Sequence, residues 1–370
     1  MASIPSWRTG TSPTARWVAA RGLPTRLAPP VDVLDELEWR TLVEECAEHR
    51  LSGLLVAAVA SHALPLDPGE CCEVAGLEVE LTRARMLHDA RVVHVLAQFD
   101  GAGMDVRLLK GAALAHLDYP DPQWRPTGDI DVLVRADQLD AAVAMFVAQG
   151  AVRLDAEPVA GYAASVGKGA VLLLEGIGEL DVHRLLVWGP LGVRLPTAEL
   201  WGTSRSFELA GHEVSTLGIE ETLLHVACHL MVGNRPRALS LRDVAQLMVS
   251  PDLDQERATG LARRWGAEAV LAGAVRLAVE ELCLDEDRAL VGWAAGYPVR
   301  LRDRAWLRVG RPGAALPAVE PLATLVELGP AERRVLVRAT LRPSPGSWPG
   351  PAQRLERVVR RAGRALSGTR

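Results

Sequence analysis

Regular patterning begins at Val31. Val33, Leu34, Leu37, Leu42, Val43 and Cys46 recur at helical spacing, interrupted by Glu38 and Thr41, and predict a first helix. Leu51–Ala63 predicts a second, stopped by Pro65, and a stretch from Pro68 to Phe99 predicts one helix or two, anchored by Val74, Leu77, Leu81, Leu87, Val95, Leu96 and Phe99. Gly101 and Gly103 close it, as glycine does past a helix C-terminus. The period then changes. Met104–Leu109 alternates as a strand, Gly111–Leu117 reads as a short helix, and Asp118–Thr127, with three prolines, reads as a loop. Asp129–Val134 is a strand, Asp137–Gln149 an amphipathic helix with Asp137 as its N-cap, and Ala170–Glu175 and Glu179–His183 a hairpin about Gly176-Ile177-Gly178. Arg205–Leu209 and His212–Thr216 add strands. From Ile219 five helical stretches follow: Glu220–Val232, Ser240–Val249, Leu253–Trp265, Ala267–Leu282 and Asp285–Gly296.

This order predicts an α+β fold, a compact core with a small mixed sheet flanked by helical regions. The expected division is a disordered lead-in over residues 1–30, rich in Ser, Thr, Pro and Arg without an apolar period, then an N-terminal helical region over 31–100. The α+β core covers 101–217 and a C-terminal helical domain 218–310. Residues 311–370 form a Pro/Gly-rich tail with a basic helix, Ala352–Leu366, that carries five arginines.

Composition narrows the function. With 49% hydrophobic and 24% charged residues in 370, a buried core is feasible, and a net charge of −5 argues against bulk nucleic-acid binding. Five scattered cysteines without a CxxC pair suit a reducing compartment, and the most apolar run, Leu51–Leu66, is too short to span a bilayer. Met1–Trp17 has no apolar signal segment. A cytoplasmic protein without a membrane partner is expected. Of 41 basic residues only Lys110 and Lys168 are lysines. In so arginine-biased a chain, a retained lysine carries information.

The strongest chemical signal is Gly128-Asp129-Ile130-Asp131-Val132-Leu133-Val134. Strand alternation puts Asp129 and Asp131 on one face and Ile130, Val132 and Val134 on the other. Two such carboxylates repel each other unless a hard divalent cation such as Mg²⁺ joins them; the plain alternative is a solvated pair on an edge strand. Upstream, Leu108-Leu109-Lys110-Gly111-Ala112 is a strand, a glycine turn and a helix start, a place where backbone N–H groups can meet phosphate.

Together these resemble the DNA-polymerase-beta-like nucleotidyltransferase superfamily. In detail, Leu108–Leu114 followed by Arg125 and Gly128–Val134 is similar to the uncharacterised nucleotidyltransferase family of bacteria. Leu180-Asp181-Val182-His183, Leu223–His229 and Leu241-Arg242-Asp243-Val244 fit the same family, and the likeness spans about Leu81 to Val249. It departs in Ala112, where the superfamily has Gly or Ser, and in a longer gap before Asp129. The resemblance implies transfer of a nucleoside monophosphate from an NTP to an unknown acceptor: a small molecule, a peptide or an RNA end. Its relatives occur near peptide natural-product genes. Asp129, Asp131 and Asp181 would hold Mg²⁺ or Mn²⁺ and act catalytically. Lys110, Gly111, Ala112 and Arg125 would bind the nucleotide, Arg125 from the proline loop. The rivals are an inert nucleotide-binding or interaction module and a toxin-like tRNA nucleotidyltransferase.

Other features read as structural. His225 and His229 share a helix face without the Glu of an HExxH site. His183 is expected to hydrogen-bond a neighbouring carboxylate. Gly167-Lys168-Gly169 lacks a strand-to-helix setting, Cys71 and Cys72 are small buried residues, and Arg242 and Asp243 serve the fold.

Overall fold

The computed structural model describes residues 9–155, 157–232, 237–285, 288–300, 303, 307 and 320–341. The expected basic helix Ala352–Leu366 lies outside them. The chain starts with α1 (Pro13–Ala19), α2 (Glu36–Glu48), α3 (Ser52–Ala60) and α4 (Pro68–Gly101). It continues through β1 (Val106–Leu108), α5 (Gly111–Leu117), β2 (Ile130–Val134), α6 (Leu139–Ala148), β3 (Val152–Arg153), α7 (Tyr162–Ser165), β4 (Gly169–Leu174), β5 (Gly178–His183), α8 (Gly189–Arg194), β6 (Ser204–Leu209) and β7 (His212–Leu217). Helices return as α9 (Ile219–Val232), α10 (Ala238–Val249), α11 (Gln255–Trp265), α12 (Glu268–Leu282), α13 (Ala289–Gly296), α14 (Glu320–Glu327) and α15 (Pro330–Leu341). The fold is α+β.

Local chemistry explains several boundaries. Asp35 caps α2 and Glu38 closes a capping box on it, so the Glu that breaks the apolar stripe belongs to the helix start. Asp67 and Glu70 do the same for α4, with Pro68 in its first turn, and α4 runs unbroken for 34 residues. The expected disordered lead-in is corrected by α1. Ser12 caps it, and Ala15, Trp17, Val18 and Ala19 are buried against the core. Seven residues are too few to display a period, so tertiary burial, not pattern, makes this helix. Asp137 lies inside a 3₁₀ turn, Ala136–Gln138, that leads into α6, and caps nothing with its side chain.

The sheet has seven strands in the order β3-β4-β5-β2-β1-β7-β6, larger than the small sheet expected. β2 runs antiparallel to β1 and parallel to β5, and β7 runs parallel to β1. The short β3 was not anticipated; two residues carry no alternation. Ile130, Val132 and Val134 face one core with Val92, Val95 and Phe99 of α4 and Phe146 of α6. Leu133, on the opposite face, belongs to a larger core that unites the N-terminal helices with α9–α13. All five residues of β2 are buried. Asp131 therefore sits on an inner strand beneath the helical layer, a position costly for a carboxylate unless it is compensated.

Candidate active site

Two strands, β2 and β5, deliver the acidic residues. In the parallel pairing of β2 with β5, Asp131 is the direct partner of Asp181, and Leu133 that of His183. The in-register pairing sets the two carboxylates side by side on the face of Leu133. His183 Nε2 lies 2.7 Å from Asp131 Oδ1 and 3.1 Å from Asp181 Oδ2, and its Nδ1 lies 3.3 Å from the Leu185 carbonyl. His183 thus makes the carboxylate contact expected of it. Among the described residues, Asp131, Asp181 and His183 are the one group of three or more His, Cys, Asp or Glu placed to hold a metal ion, with ligand atoms within 4.8 Å of one another.

Both lysines of the chain meet this cluster. Lys110 Nζ is 3.1 Å from Asp131 Oδ1, and Lys168 Nζ is 2.8 Å from Asp181 Oδ2. Burial opposes ionisation of both acids, but their hydrogen-bond donors and the lysine charges outweigh it. Lys110 and then His183 hold Asp131 well below the usual carboxylate range. His183 and Lys168 bring Asp181 down to about 2. Lys110 reaches Asp131 from a strained backbone: its φ is +42°, a region that favours glycine, although the glycine is the next residue. A Cβ on Gly111 would meet Thr127, Arg125 and Asp129 at ordinary distances of 3.6–3.9 Å, so packing alone does not demand glycine there. Ala112 is buried beneath the turn.

Two expected site residues are placed differently. Asp129 precedes β2 rather than opening it, is exposed, and stands outside the three-residue group. Pairing with β5 begins one residue later, at Ile130 with Leu180. Arg125 does not hang over the site. It is buried, with Nε and Nη2 each donating at 2.8 Å to the two oxygens of Asp243 and Nη1 donating at 3.1 Å to the Gly111 carbonyl. Asp243 also accepts from Tyr119 Oη at 2.8 Å. A buried guanidinium needs its carboxylate, and Asp243 supplies it.

His225 and His229 of α9 complete the surroundings, with their Nε2 atoms 3.1 Å apart. Burial first, and the nearby Lys110 second, hold both well below the ordinary imidazole range. The pair is therefore neutral at pH 7, with one ring donating to the other.

The residues fit a divalent cation. Two ionised carboxylates and an imidazole converge, and Asp181 Oδ1 is buried without a hydrogen-bond partner among the described residues. A family model described as uncharacterised nucleotidyltransferase matches residues 35–282, more than half of the chain. The chain belongs to the uncharacterised nucleotidyltransferase family. The match extends well beyond the motifs legible in the sequence, into α2, α3 and α12. No curated protein matches the chain. Among solved structures it is similar to the antibiotic-resistance factor ANT(2'')-Ia, at 16% identity over 48% of this chain and 90% of that one, with a TM-score of 0.33. It is also similar to an antigenic nucleotidyltransferase-like protein from Paracoccidioides brasiliensis, at 18% identity over 52% and 92%, with a TM-score of 0.30. Among the described residues of this family member, no helix is long and apolar enough to cross a membrane.

Proposed function

We propose that this protein transfers a nucleoside monophosphate from an NTP to the hydroxyl of an acceptor, in a site built on Asp131 and Asp181. The observation that carries the reading is the direct pairing of these two residues on neighbouring parallel strands, Asp131 buried and Asp181 half-buried, with both carboxyls held below the usual carboxylate range. Mg²⁺ or Mn²⁺, held by Asp131 and Asp181 with Asp129 at the mouth, would neutralise the triphosphate and the leaving pyrophosphate and make the acceptor hydroxyl more acidic. The chain's own groups do the rest. Lys110 and the Gly111-Ala112 turn hold phosphate oxygens, and Asp181 takes the acceptor proton. Arg125 is a positioning residue: anchored on Asp243, it fixes the Gly111 carbonyl and hence the turn. The helical layer that buries Asp131 keeps bulk water from competing as acceptor. A small molecule or peptide suits the net charge of −5 better than RNA, and the supply of NTP suits a cytoplasmic site.

One observation favours the inert-module reading: two lysines already neutralise the two carboxylates. Calorimetry with each NTP and Mg²⁺ or Mn²⁺, followed by incubation with α-labelled NTP and small-molecule, peptide and RNA fractions of a cell extract, separates the two. Label covalently transferred to any fraction supports the enzyme. Nucleotide binding without transfer to any of them supports the module, and no binding by folded protein removes both.

A further inference from the structure

This chain has 39 arginines and two lysines, and each lysine pairs with one of the two paired aspartates. Elsewhere Asp243 and Asp118 are each held by arginine through two nitrogens at once, Asp243 by Arg125 and Asp118 by Arg205, while Asp89 accepts from one nitrogen of Arg85 and lies beside His116. Such forks lock a carboxylate in place, whereas an ammonium on a flexible stem can release one oxygen and take another. The exception to the arginine bias falls where a cation must be able to leave.

The backbone around Lys168 is built to present it. A Cβ on Gly169 would stand 1.9 Å from the Val182 carbonyl oxygen, and one on Gly167 2.9 Å from Ala163 Cα, so both neighbours must be glycine. The Lys168 carbonyl accepts from the amides of Arg184 at 2.8 Å and Leu185 at 3.0 Å. The main chain is fixed by the end of β5, and only the side chain is left to move. It covers Asp181 Oδ2 and leaves Oδ1 without a partner.

Resting on the nucleotidyl-transfer reading, we infer that Lys110 and Lys168 are exchangeable counter-ions of Asp131 and Asp181, displaced by a divalent cation only when a triphosphate arrives to receive the ammonium groups. The charges require it. Two carboxylates and two ammoniums sum to zero, so a bare divalent ion would add two uncompensated charges in a buried site. A metal–triphosphate brings its own negative charge, and each displaced lysine finds a phosphate oxygen. Metal and nucleotide therefore enter as a unit, and Lys168, absent from the expected nucleotide site, becomes its second phosphate-side lysine.

The test is a Mn²⁺ titration of the full-length protein, with free Mn²⁺ counted by electron paramagnetic resonance, with and without an α,β-methylene NTP that cannot be transferred. The wild type should bind Mn²⁺ alone weakly and gain about tenfold or more in affinity with the analogue, a coupling of about 1.4 kcal/mol or more. Lys168→Gln should bind Mn²⁺ alone about tenfold more tightly and lose most of that coupling. Lys168→Arg, which keeps the charge, should bind Mn²⁺ alone no better than wild type. Equal affinity of wild type and Lys168→Gln for Mn²⁺ alone overturns the inference. If the variant does not fold, the wild type decides: metal and analogue binding tightly but independently overturns the inference and leaves nucleotidyl transfer standing. Wild type that takes up neither overturns the functional reading and the inference with it.

Discussion

Asp243→Ala tests the division between chemistry and scaffold. Asp243 accepts two bonds from Arg125 and one from Tyr119, all at 2.8 Å, and all three side chains are buried. Burial, and then the Asp243 charge, raise the Tyr119 pKa well above its ordinary value, so the phenol remains a donor. Removing the carboxylate leaves a guanidinium without its counter-charge in a site that water does not reach, a change that costs about 3–5 kcal/mol. The orphaned Tyr119 hydroxyl acts in the same direction, but it shares the network, so its cost is not simply additive. Taking about 4 kcal/mol and about 2 °C per kcal/mol for a chain longer than 250 residues, the melting temperature should fall by about 8 °C. Scanning calorimetry reads this directly. Arg125→Ala should cost a similar amount, and the double variant much less than the sum, because the second substitution removes a group already unpaired. A melting temperature within 1–2 °C of wild type, roughly the shift of a neutral surface change, would refute the burial argument. A stable Asp243→Ala protein without transfer would show that Asp243 serves the site, through Arg125 and the Gly111 turn, more than the fold.

Two further outcomes follow from the site. Asp181→Asn should retain part of the metal–NTP affinity through Asp131 while transfer falls about a hundredfold or more, since the proton acceptor is gone; unchanged turnover removes Asp181 from catalysis. Burial holds His225, His229 and His88 below the ordinary imidazole range, whereas the unfolded chain protonates near pH 6.5. Stability should thus be full above about pH 6.5 and decline as the pH drops towards 5, because the unfolded state binds the additional protons; a melting curve flat from pH 7 to 5 speaks against it.

The elements that carry the site are legible because each is long enough to show a period or short enough to be bounded by glycine and proline. β2, β5, α5 and the hairpin of β4 with β5 follow directly from alternation and turns. What sequence cannot supply is register. Nothing in either segment says that Asp131 rather than Asp129 pairs with Asp181; that depends on where β2 begins against β5. The same gap hid α1, made by tertiary burial of Trp17 and Val18, and the fate of Arg125, whose partner lies 118 residues away. Lys168 had a usable signal. It is one of two lysines, between two glycines, but a glycine-flanked lysine suggests a phosphate loop only where a strand meets a helix, and here the segment runs from a helix into a strand.

The structure supplies opposite expectations for the two candidates for a third donor, Asp129 and His183. Asp129 is exposed, just outside the first residue of β2, and its charge acts on Arg125 and His88. His183 is fully buried, bridges Asp131 and Asp181, and is tied to the Leu185 carbonyl. On the proposed reading an exposed carboxylate beside β2 is open to a triphosphate-bound cation arriving from solvent, and it does little for the fold. Asp129→Asn should therefore leave the melting temperature unchanged and weaken Mn²⁺–NTP binding by about tenfold or more, through loss of one charged oxygen ligand. His183→Gln should lower the melting temperature, because two buried carboxylates lose a shared partner. Both variants can be measured in one titration with the untransferable analogue. If Asp129→Asn binds the metal–triphosphate as wild type does, the alternation that singled out Asp129 has no bearing on the metal. The donor set is then Asp131, Asp181 and His183, in which an imidazole replaces the third carboxylate. A nitrogen ligand shifts preference from Mg²⁺ towards Mn²⁺ and later transition ions, so that outcome should be accompanied by a preference for Mn²⁺ in the same experiment.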